Sequence, residues 1–397
     1  DVLITYGSGM TGVVNKFQRI LGLKVSENLK DHTNIPEEIR PIVFISHMEH
    51  HSNQTSWLET IADVEVVPCN SEGLVCLENF EKSIKKHEHR KIKIVSMTSC
   101  SNVTGIKTPY HKVAKLIHSY NGLCFVDFAC CAPYVDINMH PDGEDESLDA
   151  IYFSPHKFLG GPGSAGVLVF NKRLYKNTVP DNPGGGTVSY TNPWGQHDYF
   201  DDVETREDGG TPAFLQTIRI ALAIQLKEKM GTKNIKNREN EINKVIFKTL
   251  ESLEGVKILA PNQKERLSIF SFYFEKYHFN LVVKLLNDRF GIQTRGGCSC
   301  AGTYGHFLLN VNQETSNRIK GEILQGCNTA KPGWVRLSVH PTITDKEVAF
   351  VCTSLKELSK NIENWSKDYG YNSIKNEYDH KTVQPIENAL VTAWFAF

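Results

Sequence analysis

Short apolar runs at residues 42–46, 65–67, 92–98, 124–127, 150–153 and 166–170 alternate with stretches of helical periodicity such as 110–119. Runs that stay apolar instead of alternating with polar residues belong to strands buried on both faces. Such strands need helices on either side, so the alternation predicts a mostly parallel α/β sheet with ligands at the carboxyl ends of its strands. A helical region from 217 to 229 is expected to bridge to a smaller α+β part, with strands at 267–274 and 335–339 and a helix at 281–290. The expected division is therefore a large domain over 1–230 and a small one over 231–397, whose closing apolar segment docks on the fold. The Asn, Pro and Gly-rich span 179–195 reads as a long functional loop.

Chemistry is expected just beyond two of these strands. The run at 150–153 delivers Ser154, His156 and Lys157, and a glycine-rich turn then leads into the strand at 166–170. A lysine becomes a Schiff-base nucleophile where its pKa is lowered or a bound carbonyl captures it, and flanking apolar strands offer the dry setting for both. The other reading is a solvated loop lysine. Earlier in the chain, the run 123–126 ends in Asp127. A carboxylate there suits a pyridinium nitrogen, which it keeps protonated so that the ring can draw electrons from a substrate carbanion. It equally suits a cap on the following turn.

Together, Val126-Asp127 and Ser154-x-His156-Lys157 resemble the class V branch of fold-type I pyridoxal-phosphate enzymes, most closely the cysteine desulfurases and selenocysteine lyases. The resemblance runs from Gly7 to about Val351, and further stretches follow in the family's order. Gly7, Gly9, Met10 and Thr11 stand before an expected helix over 11–21, where free N–H groups and a threonine hydroxyl would take the cofactor phosphate. The family often has two threonines here; Met10 can offer only its backbone. The segment Glu49-His50-His51-x-Asn53 matches the family's Glu-His-His-x-Asn, with His50 at the ring-stacking position, where the resemblance implies a catalytic imidazole able to move protons. A metal reading of these histidines finds no recognised zinc spacing, so no metal is expected. Ser101-Asn102-x-x-Gly105 would place Asn102 near the cofactor hydroxyl or the substrate carboxylate, although Asn before Gly also forms turns.

The resemblance also implies a homodimer with shared sites, because Thr211 matches a residue that reaches the partner's cofactor phosphate. Arg336 matches the arginine that grips the substrate carboxylate, a task suited to a planar fork, and Arg295 is expected to bind substrate as well. Counting from Arg295, the desulfurase nucleophile falls on Cys300, with Cys298 two residues earlier. A loop thiolate could carry sulfur as a persulfide; small cysteines could also simply pack beneath the turn. Two departures stand out. Cys130 replaces the family's glutamine beside the ring hydroxyl, and the loop after Cys300, which runs from Ala301 through Leu309 into a polar stretch ending at Lys331, is longer than the desulfurase pattern.

The remaining bounds favour an enzyme of small molecules. Lys and Arg number 44 against 45 Asp and Glu, which gives no global reason to expect nucleic acid or membrane as a partner. Ten scattered cysteines show no secreted disulfide spacing, so reduced thiols in a cytoplasmic setting are expected. The chain opens at Asp1 directly on a strand, whereas the family has a segment before it, so a preceding segment is expected. The leading functional expectation is release of sulfur from cysteine through pyridoxal 5'-phosphate on Lys157, with a sulfur acceptor protein as a further partner. The alternatives are a class V aminotransferase, epimerase or related lyase that needs no thiol, and a cofactor-binding scaffold.

Overall fold

The computed structural model describes residues 1–143, 145–383 and 387–396. It divides into two compact units, one formed by Asp1–Glu239 with Glu265–Leu267 and Cys300–Phe307, the other by Asn240–Lys264, Ser268–Ser299 and the chain from Leu308 on. In the first unit the order is β1 (Val2–Tyr6), α1 (Gly9–Ile20), β2 (Ile42–Ser46), α2 (His51–Leu58), β3 (Asp63–Val67), α3 (Leu77–Lys86), β4 (Lys93–Thr98), α4 (Tyr110–His118), β5 (Leu123–Asp127), β6 (Ala150–Phe153) and β7 (Gly166–Phe170). A hairpin β8 (Val188–Thr191) and β9 (His197–Tyr199) follows, then α5 (Val203–Glu207), α6 (Phe214–Met230) and α7 (Thr232–Glu251), through which the unit boundary runs.

The central sheet has the order β1-β7-β6-β5-β4-β2-β3. β2, β3, β4, β5 and β6 pair in parallel, while β7 runs antiparallel to both β6 and β1. The apolar runs end where the sequence places them, and β2, β4 and β6 are buried throughout, as strands covered on both faces must be. Helix α1 begins at Gly9, two residues before the expected start. Its Val13, Val14 and Phe17 form the core with Phe125, Leu168 and Phe170, and Phe17 meets Phe125 edge-on at 5.0 Å. Buried Lys16 on the same helix pairs with Glu207 at 2.7 Å, and Arg19 grips Asp181 at 2.7 Å, so α1 is tied to the chain at 181 and to α5. The span 179–195 is only partly loop, because Val188–Thr191 pairs with His197–Tyr199. That ribbon is mostly exposed and carries no apolar run, so periodicity could not reveal it.

The second unit contains β10 (Val256–Ile258), β11 (Ile269–Phe274), α8 (Phe279–Phe290), β12 (Arg295–Gly297), α10 (Gln313–Leu324), β13 (Trp334–Ser338), α11 (Asp345–Trp365), β14 (Tyr369–Asn372), β15 (Glu377–His380) and α12 (Glu387–Trp394). Between β12 and α10 the chain returns to the first unit as α9 (Gly302–Leu308), which leaves it at Leu308. The sheet β10-β11-β13-β12 is antiparallel, and Phe270, Phe272 and Val335 pack with Leu285 of α8 and Leu355 and Leu358 of α11. Helix α11 starts with a reciprocal cap between Thr344 and Glu347. The closing segment, expected to dock, leaves Leu390, Val391, Trp394 and Phe395 exposed, and Phe397 lies outside the described residues.

One contact fixes where α1 begins. A Cβ at Gly166 would stand 2.2 Å from the carbonyl oxygen of Gly9, so only glycine lets β7 pass the start of the helix. Gly166→Ala is therefore expected to push two backbones apart and cost about 1–3 kcal/mol. A lowered urea midpoint with an unchanged m-value checks it; an unchanged midpoint would contradict this close approach.

Candidate active site

A cleft of about 200 Å³ opens at the carboxyl end of the first unit's sheet, with Ser8, Met10, Thr11, His50, Ser52, Asn102, Asp127, Cys130, Ser154, His156 and Lys157 among the residues that line it. Each comes from a helix start, a strand end or the turn that follows a strand. Gly9 takes φ +64°, and a Cβ there would strike His156 and the Ser154 hydroxyl, so the turn before α1 is pressed against the turn after β6. The Met10 N–H donates to Ser154 Oγ at 2.8 Å, so the backbone donor expected of Met10 is engaged within the fold, while its side chain is buried. Thr11 Oγ1 and Ser52 Oγ lie 2.6 Å apart, which brings the starts of α1 and α2 together. No acidic side chain stands in the first turn of α1.

Lys157 is exposed, which departs from the dry setting expected for it. The cause is local: the strand stops at Phe153, and a 3-10 turn over Pro155–Lys157 carries the lysine beyond the apolar sheet. Partial burial and the neighbouring Lys157 charge hold His156 below the ordinary histidine range. Asp127 is buried, accepts the Ala129 N–H at 2.8 Å, and has its carboxyl pushed up to about 6 by burial, an effect that Lys157 opposes. His50 caps α2 by accepting the Ser52 N–H on Nδ1 at 3.1 Å, which leaves the proton of a neutral ring on Nε2.

Glu49 and Asn53 of the Glu-His-His-x-Asn segment belong to a buried polar network. Glu49 is 1% exposed; it accepts the Ser46 hydroxyl, the Thr98 N–H at 2.9 Å and Asn53 Nδ2 at 2.7 Å. Asn53 Oδ1 accepts from the Tyr152 hydroxyl at 2.9 Å and from Ser96 at 2.8 Å, and Trp57 donates to Ser96 at 2.8 Å. The ends of β2, β4 and β6 are thereby joined to α2. Burial pushes the Glu49 carboxyl up to about 7. The sequence signal is an acid just before the cap of α2 followed at four-residue spacing by an amide and an indole, Asn53 and Trp57, on the helix itself.

Cys300 belongs to the first unit, and its carbonyl accepts the His51 N–H at 2.8 Å. Cys298 belongs to the second unit. Arg295 and Arg336 also lie there, directly opposed across β12 and β13. Thr211 is exposed and lies outside the cleft lining, just before α6. Cys130 lines the cleft, with Sγ 3.7 Å from the Ser101 carbonyl. Ser8, Ser52, Thr98 and Cys100 line it as well, although sequence reasoning had not named them.

The donor set fits pyridoxal phosphate. The hydroxyls and N–H groups at the start of α1 suit a phosphate, and Asp127 is a buried carboxyl whose ionised form gains from a facing cation. A primary amine stands on the same cleft. Among the described residues, no group of three or more His, Cys, Asp or Glu is gathered as a metal site requires. No described helix is long and apolar enough to cross a membrane.

The family model for "Aminotransferase class-V" matches residues 25–351. A Halalkalibacterium halodurans protein named "Probable cysteine desulfurase" is 30% identical over 264 residues, 65% of this chain and 61% of that protein. A Staphylococcus aureus protein of the same name is 27% identical over 263 residues with the same coverage. The match thus spans about three fifths of these relatives' length. Among solved structures, the apo cysteine desulfurase from Thermococcus onnurineus NA1 aligns with a TM-score of 0.70 at 23% identity, over 90% of this chain and 79% of that one. The cysteine desulfurase CsdA from Escherichia coli aligns at 0.71 and 21%, over 91% and 79%. These likenesses establish the fold as that of the fold-type I enzymes.

The raised carboxyls give the cofactor-free protein a definite pH dependence. A carboxyl whose folded pKa exceeds its ordinary value stabilises the fold fully below that ordinary value and loses its contribution as pH rises through the folded one. For Asp127 the window runs from 3.8 to about 6, and for Glu49 from 4.5 to about 7. Asp127→Asn is therefore expected to gain stability relative to the unsubstituted protein as pH increases from 5 to 8, read as the difference in urea midpoints. A pH-independent difference would contradict a buried, ionising Asp127.

Proposed function

The chain belongs to the aminotransferase class-V family, and from that premise we propose that it is a pyridoxal-phosphate enzyme that releases sulfur from cysteine. The observation that carries the reading is the placement of Cys300 in the same unit as the Lys157 and Asp127 cleft. Its carbonyl is one hydrogen bond from His51, the residue after cleft-lining His50.

Lys157 would hold the cofactor covalently, Asp127 its ring nitrogen, His50 its ring face, Asn102 and Cys130 its hydroxyl side, and Thr11 with the start of α1 its phosphate. When bound, the group supplies an electron sink for negative charge at the substrate's α-carbon. The protein's own residues then have separable tasks. Asp127, deprived of water, gains by holding a proton between itself and a cationic ring nitrogen. The Lys157 amine moves the proton at the α-carbon, and Arg336, with Arg295 opposite it on the neighbouring strand, receives the substrate carboxylate. The Cys300 thiolate attacks the sulfur of bound cysteine; an S–S bond forms as the Cβ–S bond breaks, leaving a persulfide and the carbon skeleton of alanine. An acceptor thiol, on a small molecule or a partner protein, takes the sulfur onward.

A homodimer completes the reading. Phe214, Ile218 and Leu222 form an exposed stripe at four-residue spacing on α6, immediately after Thr211, as a helix face covered by a second copy would. Thr211 would then serve the partner's phosphate.

Loaded protein given L-cysteine and a reducing thiol is expected to yield sulfide and alanine in equal amounts, the thiol being oxidised to its disulfide, whereas a cysteine pulse without added thiol leaves one added sulfur on the Cys300 peptide by mass spectrometry. Cys300→Ser should lower this release at least about a hundredfold yet keep borohydride-fixable cofactor, whereas Lys157→Ala should lose that fixation. Turnover of alanine-type donors to a pyridoxamine form, undiminished in Cys300→Ser, would instead support an aminotransferase. For the shared site, inactive Lys157→Ala and Thr211→Glu chains should regain activity when mixed, since one hybrid site is intact. No recovery after verified subunit exchange would overturn the role given to Thr211.

A further inference from the structure

The segment that carries Cys300 is held in an unusual way. Ser299 and Cys300 are consecutive non-glycine residues in the left-handed region, at φ 54° and φ 59°. L-residues rarely adopt this backbone, and two in succession persist only where their surroundings impose them. The surroundings are supplied by α2. The His51 N–H, the first of the helix and one of its orphan donors, is capped by the Cys300 carbonyl at 2.8 Å. Two residues on, the Gly302 N–H donates to Nε2 of the His51 imidazole at 2.9 Å. A single residue thus grips the chain on both sides of Ala301. One turn further along α2, Gln54 accepts the Thr303 hydroxyl at 2.9 Å. From the loop before α2, the His47 ring meets Tyr304 and Phe307 edge-on, at 5.4 Å each. The fit at Gly302 is close, since a Cβ there would lie 3.2 Å from His51 Nε2.

We propose that His51 is a positioning residue for Cys300: its backbone N–H and imidazole hold the left-handed turn at 299–302 and lock the cysteine to the helix start that presents His50 to the cleft. This rests on the reading of Cys300 as the sulfur carrier. The adjacent histidines then divide the work: His50 faces the cleft, and His51 holds the nucleophile's backbone. The loop is pinned at its root, so the thiol is aimed by α2 and does not have to search for the substrate.

The test uses the full-length, cofactor-loaded protein with His51→Ala and His51→Gln, the latter because its side-chain oxygen can accept the Gly302 N–H at a similar reach. Two measurements separate the inference from the function it rests on. Hydrogen exchange of the peptide spanning 299–307 is expected to accelerate at least tenfold in His51→Ala and to return towards the original rate in His51→Gln, with peptides of β5 and β6 unchanged. Sulfur release from L-cysteine is expected to fall at least tenfold in kcat in His51→Ala, with KM altered less than threefold and recovery in His51→Gln. Unchanged exchange at 299–307, or a loss confined to KM, would overturn the role of His51. If the unsubstituted protein releases no sulfur while exchange responds as stated, the desulfurase reading fails and the clamp stands as a property of the fold. A global rise in exchange would show that His51 only supports folding, and would also overturn the proposal.

Discussion

A carboxyl group sealed inside the first unit governs how the site is assembled. Glu49 sits where an acid is costly to bury, and each of its bonds goes to a different piece of the surroundings: the end of β2 through Ser46, the end of β4 through Thr98 and helix α2 through Asn53. Asn53 extends the network to Tyr152 on β6. Removing any partner would leave a polar atom without water or substitute, so the network specifies one placement of α2 and rejects its neighbours. That placement decides two things at once, because His50 and His51 follow directly from Glu49. One ring reaches the cleft and the other reaches the Cys300 segment.

The opposite wall is set by absence of side chains. Gly9 and Gly166 allow the start of α1 to lie against β7, and Ser154 accepts the Met10 N–H there. The helix is kept from sliding by Lys16 with Glu207 and by Arg19 with Asp181. The buried Lys16–Glu207 pair adds little net stability but penalises other arrangements of α1, and the half-exposed Arg19–Asp181 pair adds a second anchor. Between the two walls stands Asp127, carried by β5, the neighbour of both β4 and β6. The same burial that raises its pKa makes it a strong partner for a cation in the cleft.

Much of this is legible in the sequence alone. The strands were marked by apolar runs, and Asp127 and Lys157 each followed one of them. His50, Asn102, Cys130 and Ser154, which the motifs single out, all line the cleft. The exposed position of Lys157 was not legible, because a run of residues says where a strand stops but not how the next turn leaves the sheet. The β8–β9 ribbon escaped because its pairing rests on backbone hydrogen bonds, with no apolar face to impose a period. Cys300 was found by counting from Arg295, yet the two residues fall in different compact units, which no spacing along the chain announces.

The sequence by itself determined the local chemistry: which runs are strands, which residues stand at their carboxyl ends, and which side chains can hold a proton, an anion or a sulfur. Those follow from hydrophobic periodicity and residue type, which act over a few positions. Only the tertiary structure decided that Glu49 is buried with Asn53, Ser96 and Tyr152, and that Gly302 donates to a histidine 251 positions earlier. Most of these pairings join groups far apart in the chain, as Tyr152 with Asn53 and Gly302 with His51. They exist because buried donors and acceptors must find one another once water is excluded, a condition that packing creates and no short stretch of residues contains.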